Sequence, residues 1–307
     1  MPPAPDIACF GAAHMDITAR ARGDFVPGAS NPVETSRSHG GVVRNVAHNL
    51  ALLGHRVTLV TALGRDGPGD EIMAALTGLG IGADKVFRPS SALTASYTAV
   101  LDPAGELMFG LADMAIYDQL TPDVVAEAAE SHLGAALWVI DANLPQAAIG
   151  DLVAQAAGRV RVAGIGVSPA KVVRLLPYLA SLDVLFVNRA ELRALTGLAS
   201  ATESEIMTAC EYLAGLGPRC VFLTLGADGA AAWDGVLYRR LAVPGEVQDV
   251  NGAGDAFAAG ALDAIVAGAT TDAALERGLA AGAFTAASVG SNAVGLSAAT
   301  LDQMARD

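Results

Sequence analysis

Asp249-Val250-Asn251-Gly252-Ala253-Gly254-Asp255-Ala256-Phe257-Ala258-Ala259-Gly260, residues 249–260, runs from a polar turn into an alanine-rich apolar segment. Gly252, Ala253 and Gly254 are three small residues at the head of a predicted helix, Gly254 to Ala267, with an acid in its first turn. Their backbone N–H groups can face an anion at the positive end of the helix dipole. Asp255 beside them can take a proton from an attacking hydroxyl, the role left to a carboxylate when phosphoryl transfer otherwise needs positioning and charge neutralisation. The same residues also fit an ordinary glycine-rich helix start in which Asp255 satisfies free N–H groups. The segment alone leaves both possibilities open.

Working outward, short apolar runs alternate with Ala/Leu-rich stretches of helical period. Predicted strands are Ile7 to Gly11, Val57 to Ala62, Ala136 to Ile140, Val160 to Ile165, Val184 to Val187 and Val221 to Leu225. Between them lie predicted helices Val43 to Leu53, Asp70 to Leu79, Pro122 to Ser131, Gln146 to Ala156 and Glu203 to Leu216, with Asp272 to Ala287 last. This alternation predicts an α/β fold with a doubly wound, mostly parallel sheet flanked by helices. Phe25 to His39 breaks it, and Ala95 to Leu111 reads as two strands joined by Asp102-Pro103-Ala104-Gly105, so a small β element is expected to project from the main sheet.

The chain of 307 residues fits one large α/β unit. Hydrophobic residues make up 52% and charged residues only 17%, which excludes disorder. A net charge of −13 argues against a basic track for a nucleic acid polymer, while leaving room for a small anionic ligand. Cys9, Cys210 and Cys220 form neither a CxxC pair nor an even-numbered framework, so a reducing cytoplasm is expected. Asp6 stands where a secretory leader would need a cationic start, and the uncharged stretch Gly278 to Leu301 is too polar for hydrocarbon, so neither leader nor membrane partner is expected.

Three more constellations fall at predicted strand ends. Gly40-Gly41-Val42-Val43-Arg44-Asn45 opens a helix with a paired-glycine loop that a ligand could approach, and Asp16 beyond the first strand offers a carboxylate for sugar hydroxyls. Alone, Asp16 would be a solvated loop acid. Asn188 and Glu191 stand at i, i+3 spacing, fit to hold a hydrated Mg²⁺ or simply to form a capping box. Thr224-Leu225-Gly226-Ala227-Asp228-Gly229 ends a strand where nucleotide could touch backbone, or is merely a turn.

In this order the four segments resemble the ribokinase-like (PfkB) family of carbohydrate and nucleoside kinases over nearly the whole chain, and residues 249–260 resemble its C-terminal signature. The resemblance implies ATP, Mg²⁺ and a single domain, 1–307, with a β lid at roughly residues 16–40 and 90–112. It implies Asp255 as catalytic base, with Gly252, Ala253 and Gly254 as anion hole. Asn188 and Glu191 would be the Mg²⁺-shell pair, and Thr224, Gly226 and Gly229 part of the ATP site. Asp16, Gly40, Gly41 and Asn45 would bind substrate, and a K⁺ could sit near Asp249 and Asn251. A homodimer through the lid is also implied.

Within the family, Gly40 to Ala47, Asp113-Met114 followed by Leu120-Thr121-Pro122, and Val167-Ser168-Pro169-Ala170-Lys171 resemble the pseudouridine kinases, which implies that Lys171 reaches a nucleoside base. The chain has two lysines, Lys85 and Lys171, against 17 arginines, which singles out the second, although it could be a solvated helix lysine. His14 stands where the family commonly has Asn, as a ligand contact or a structural group. Val43 and Ala112 also depart from the usual pattern. Ribose, adenosine or a keto-sugar are alternative acceptors, and a non-catalytic sensor is the alternative to a kinase. No GxGxxG follows the first strand, neither lysine sits in a Walker loop, and HRD, DFG, HExxH and GxSxG are all missing.

Overall fold

The computed structural model describes residues 6–288, 290–293 and 295–304. In chain order the first half contains β1 (Asp6–Phe10), β2 (His14–Ala21), β3 (Val33–Gly40), α1 (Val42–Leu52), β4 (Arg56–Val60), α2 (Gly67–Gly78), β5 (Ser96–Leu101), β6 (Leu107–Asp113), α3 (Pro122–Ser131), β7 (Leu137–Asp141) and α4 (Gln146–Ala156). The second half contains β8 (Arg161–Ile165), α5 (Pro169–Val172), β9 (Val184–Asn188), α6 (Arg189–Thr196), α7 (Glu203–Gly215) and β10 (Cys220–Thr224). It closes with β11 (Ala230–Trp233), β12 (Leu237–Arg240), α8 (Ala253–Val266), α9 (Thr271–Ala286) and α10 (Ala298–Met304). Among the described residues no helix is long and apolar enough to cross a membrane.

Local chemistry sets the boundaries. Helix α2 begins three residues before the predicted Asp70 because Asp66 accepts the Gly69 N–H at 2.9 Å and Pro68 suits the first turn. Reciprocal capping boxes open α6 and α7, from Asn188 with Glu191 and from Thr202 with Glu205, each cap stabilising its helix by about 1 kcal/mol.

Eight strands form the main sheet in the order β12-β11-β10-β9-β8-β7-β1-β4, parallel from β10 to β4 and antiparallel at β11 and β12. It is the doubly wound sheet that the alternation predicts. Side chains alternate across it: Trp138 and Ile140 of β7 pack towards α3 and α4, and Leu137 and Val139 towards α1 and α8. Phe186 and Phe222 stack at 5.0 Å, with Phe257 edge-on to them at 6.3 and 6.1 Å. Burying each such ring contributes about 1.5–3 kcal/mol and pins α8 two residues beyond Asp255.

A separate four-stranded sheet runs β3-β2-β5-β6, with β2 and β5 parallel and the outer pairs antiparallel. The hairpin turn at residues 102–105 closes with Gly105 N–H donating to the Asp102 carbonyl at 3.0 Å.

Candidate active site

The carboxyl ends of β8, β9 and β10 and the N-termini of α6 and α8 enclose a cavity of about 140 Å³, lined by residues that include Gly166, Asn188, Glu191, Thr224, Gly254 and Asp255. Ligands of open α/β sheets gather at this edge. Gly252 caps α8 with φ +74°, and a Cβ there would lie 2.0 Å from the Ser291 carbonyl oxygen, so the turn admits only glycine. The expected trio of N–H groups differs in one member, Asp255 standing in for Ala253. Ala253 N–H turns back to the Val250 carbonyl at 3.3 Å, whereas those of Gly252, Gly254 and Asp255 have no partner among the described residues.

Asp255 is half-buried and lines the cavity. Loss of solvation pushes its carboxyl from 3.8 up to about 7; Asp141 and Glu191 push the same way, and a hydrogen bond from Asn45 and the charge of Arg44 oppose them. The Asn45 bond, Nδ2 to Asp255 Oδ2, is 2.7 Å. Asn45 is 5% exposed, and its Oδ1 is buried with no hydrogen-bond partner among the described residues. An unpaired buried acceptor costs about 1–3 kcal/mol, so this atom awaits a donor.

On the other side of α1's first turn, Asp16 lies opposite Ser38 in the small sheet. A Cβ on Gly40 would lie 2.2 Å from the Asp16 carboxylate, so Gly40 makes the space it occupies. Gly41, at φ +105°, presses against the Ala12 carbonyl. His14 Nε2 is 3.2 Å from Asp16 Oδ1, and its Nδ1 is 3.4 Å from the Tyr117 hydroxyl, so His14 links the acid to the core rather than standing alone.

Asn188 and Glu191 line the Asp255 cavity as the two halves of the α6 capping box: Asn188 N–H donates to Glu191 Oε2 and Glu191 N–H to Asn188 Oδ1, both at 2.9 Å. Burial raises the Glu191 carboxyl. Asp249 accepts N–H groups from Asn251 at 2.9 Å and Gly290 at 3.1 Å, one on each oxygen. Thr224, Gly226 and Gly229 line a second, larger and mainly apolar cavity of about 470 Å³ with Val243, Val247 and Leu279. The two cavities share Thr224, Gly254 and Phe257, so they adjoin at the head of α8.

Lys171 lies elsewhere, in a polar niche of about 210 Å³ with Asp118, Asn143 and Arg174, where its Nζ donates to Asn143 Oδ1 at 2.7 Å. Tyr117 also lines this niche, so the Tyr117–His14–Asp16 chain joins it to the small sheet.

Residues 4–298 match the pfkB family of carbohydrate kinases. The chain belongs to this family. It is similar to the pseudouridine kinase of Escherichia coli K12, 30% identical over 256 residues that cover 83% of this chain and 82% of that protein. Among solved structures it is similar to a carbohydrate kinase from Agrobacterium tumefaciens, with TM-score 0.86, 33% identity and coverage of 98% and 97% of the two chains. The Arabidopsis thaliana ribokinase complexed with ribose and ATP shares the fold at TM-score 0.89, 23% identity and 99% coverage of both chains. The pfkB kinase described here is thus a phosphotransferase acting on a hydroxyl group.

Asp141 is among the residues that escape sequence reading. Asp141, at the end of β7, is fully buried and accepts N–H groups from Ala12 at 3.1 Å, Val43 at 3.2 Å and Asn143 at 2.8 Å. It fastens β1 and the start of α1 to the strand beside them in this kinase. Its one sequence signal is an acid directly after the apolar run Leu137 to Ile140.

Proposed function

We propose that this kinase transfers the γ-phosphoryl group of ATP to the primary 5′-hydroxyl of a nucleoside, pseudouridine, giving the 5′-phosphate and ADP. The observation that carries this reading is the Asp255 carboxylate, held by Asn45 beside N–H groups without a partner among the described residues, where its cavity adjoins a larger, mainly apolar one. The identity to a pseudouridine kinase supports the choice of acceptor.

Asp255 accepts the hydroxyl proton as the new O–P bond forms and the bond to the leaving diphosphate breaks. The Gly252 and Gly254 amides, joined by that of Asp255, bind the transferring oxygens. Asn45 Oδ1 and Asp16 accept hydroxyl groups of the sugar between Gly40 and Gly41, with His14 steadying Asp16. Thr224, Gly226 and Gly229 border the nucleotide, whose base fits the apolar cavity. The α6 cap leaves Asn188 and Glu191 with acceptor capacity suited to waters around an ion, which fits Mg²⁺. When bound, Mg²⁺ neutralises phosphate charge. Asp249 and the Asn251 carbonyl are proposed to lie by a K⁺, which the Asp249 oxygens would meet with the lone pairs left free beside their N–H bonds.

The small sheet is proposed as a lid that excludes water and as the contact of a homodimer, in a cytoplasmic enzyme that takes no nucleic acid polymer. Lys171 is proposed to meet the base. Its place in a niche apart from the Asp255 cavity favours a second reading, in which the acceptor is ribose, adenosine or a keto-sugar and Lys171 is structural.

Kinetics of D255N and K171A, with calorimetry of pseudouridine binding, test both assignments. D255N is expected to bind pseudouridine within a few-fold of wild type while turnover falls about 10²–10⁴-fold. Equal turnover would remove Asp255 from its role. K171A is expected to raise KM for pseudouridine and leave that for ribose unchanged. Unchanged constants for pseudouridine would sink the base contact.

A further inference from the structure

We propose that Arg44 is a positioning residue that joins the root of the small sheet to the catalytic carboxylate. Arg44 is a cation only 5% exposed, and each arm of its fork has an assigned place. Nε donates to the Gly40 carbonyl at 3.3 Å, and Nη2 to the His39 carbonyl, so two arms hold the end of β3. Nη1 donates to Asn292 Oδ1 at 2.8 Å in the segment after α9 and lies 3.3 Å from His48 Nδ1. Asn292 in turn donates from Nδ2 to the Asn45 carbonyl at 3.3 Å and Asn49 Oδ1 at 3.2 Å. The next residue along α1 is Asn45, whose amide holds Asp255.

One side chain therefore fixes β3, α1 and the segment beyond α9 around the same carboxylate. Among the described residues no carboxylate touches the guanidinium; the acids it faces across space are Asp255 and Asp16, on either side of where the acceptor would lie. A buried cation without a direct partner is costly unless the surrounding field compensates it. The groups facing Asp255 are Arg44 and Asn45 from α1, Asp141 at the end of β7 and Glu191 from α6. Of the charged ones, Arg44 alone favours the ionised form of Asp255. Lysine keeps that charge and loses the planar fork.

The inference rests on Asp255 as the base, and the test is chosen to stand apart from the identity of the acceptor. In full-length protein with ¹³C-labelled aspartate, the Asp255 carboxyl resonance is assigned by its loss in D255N and titrated without substrate. The expected midpoint in R44M lies about one pH unit above wild type, with R44K close to wild type. With the acceptor that wild type phosphorylates fastest, R44M is expected to lose about fivefold in kcat at pH 7 and to regain it at pH 9. R44K is expected to keep the wild-type pH profile while KM for the acceptor rises several-fold, because an ammonium cannot span β3 and Asn292 together. An unmoved midpoint in R44M, or an equal loss of kcat at pH 7 and pH 9, would overturn the role. So would R44K with unaltered KM, which keeps the proposal testable if R44M fails to fold.

Discussion

At Asp255 burial outweighs Asn45 and Arg44, and the carboxyl is pushed from its ordinary 3.8 up to about 7. The sign follows from linkage. A folded-state value above the unfolded one means that the native state holds the proton more tightly. The stabilisation is complete below about pH 4 and is lost as pH rises through about 7. Replacing Asp255 by Asn removes the cost of the buried charge, so D255N is expected to melt a few degrees above wild type at pH 8 and by less at pH 5, measured by scanning calorimetry. Wild-type turnover should rise through about pH 7 as the base ionises. Asp255 and Gly252 were legible because their chemistry is concentrated in twelve contiguous residues. Asp141 and Asn292 were not, since their partners lie 98 and 248 residues away, at Val43 and Arg44, and only folding brings them together.

Helix α6 carries both a cap and a proposed ion site. The capping-box reading of Asn188 and Glu191 describes its first turn, and the same box places the pair on the Asp255 cavity, where the proposed Mg²⁺ would lie. Glutamine can still accept the Asn188 N–H through its carbonyl oxygen but lacks the negative charge. E191Q is therefore expected to melt within about 1–2 °C of wild type yet to need several-fold more Mg²⁺ for half-maximal turnover. Magnesium titration of the rate checks this, and an unchanged requirement would leave Glu191 a cap and nothing more. Seven of the ten helices among the described residues were readable from period and punctuation, Pro122–Ser131 and Gln146–Ala156 to the residue. Strand β11 was not, since Ala230-Ala231-Ala232-Trp233 carries no β-branched signal and owes its conformation to pairing with β10.

Over the whole molecule, the main sheet is covered on both faces while β6, at the edge of the small sheet, is exposed along its length. Phe109 and Leu111 share one face of that strand at 52% and 58% exposure, with Leu107, 58% exposed, beyond a bulge in the pairing with β5. An open apolar edge of this kind invites pairing. The proposed homodimer should sediment as such and fall to monomer in F109E; a wild-type monomer would discard it. The two segments that broke the helical alternation supply β3, β5 and β6, so their departure from the pattern was itself the signal for a second sheet. Which residues of that sheet stay uncovered was not in the sequence, because strand order decides it. The most direct test of the whole account is ATP-dependent phosphorylation read by mass spectrometry over pseudouridine, uridine, adenosine, ribose, fructose and 2-keto-3-deoxygluconate, with Mg²⁺ and with or without K⁺. The account predicts a strong preference for pseudouridine, with a mass gain of one phosphoryl group; binding of pseudouridine without turnover of any member of the panel would contradict it.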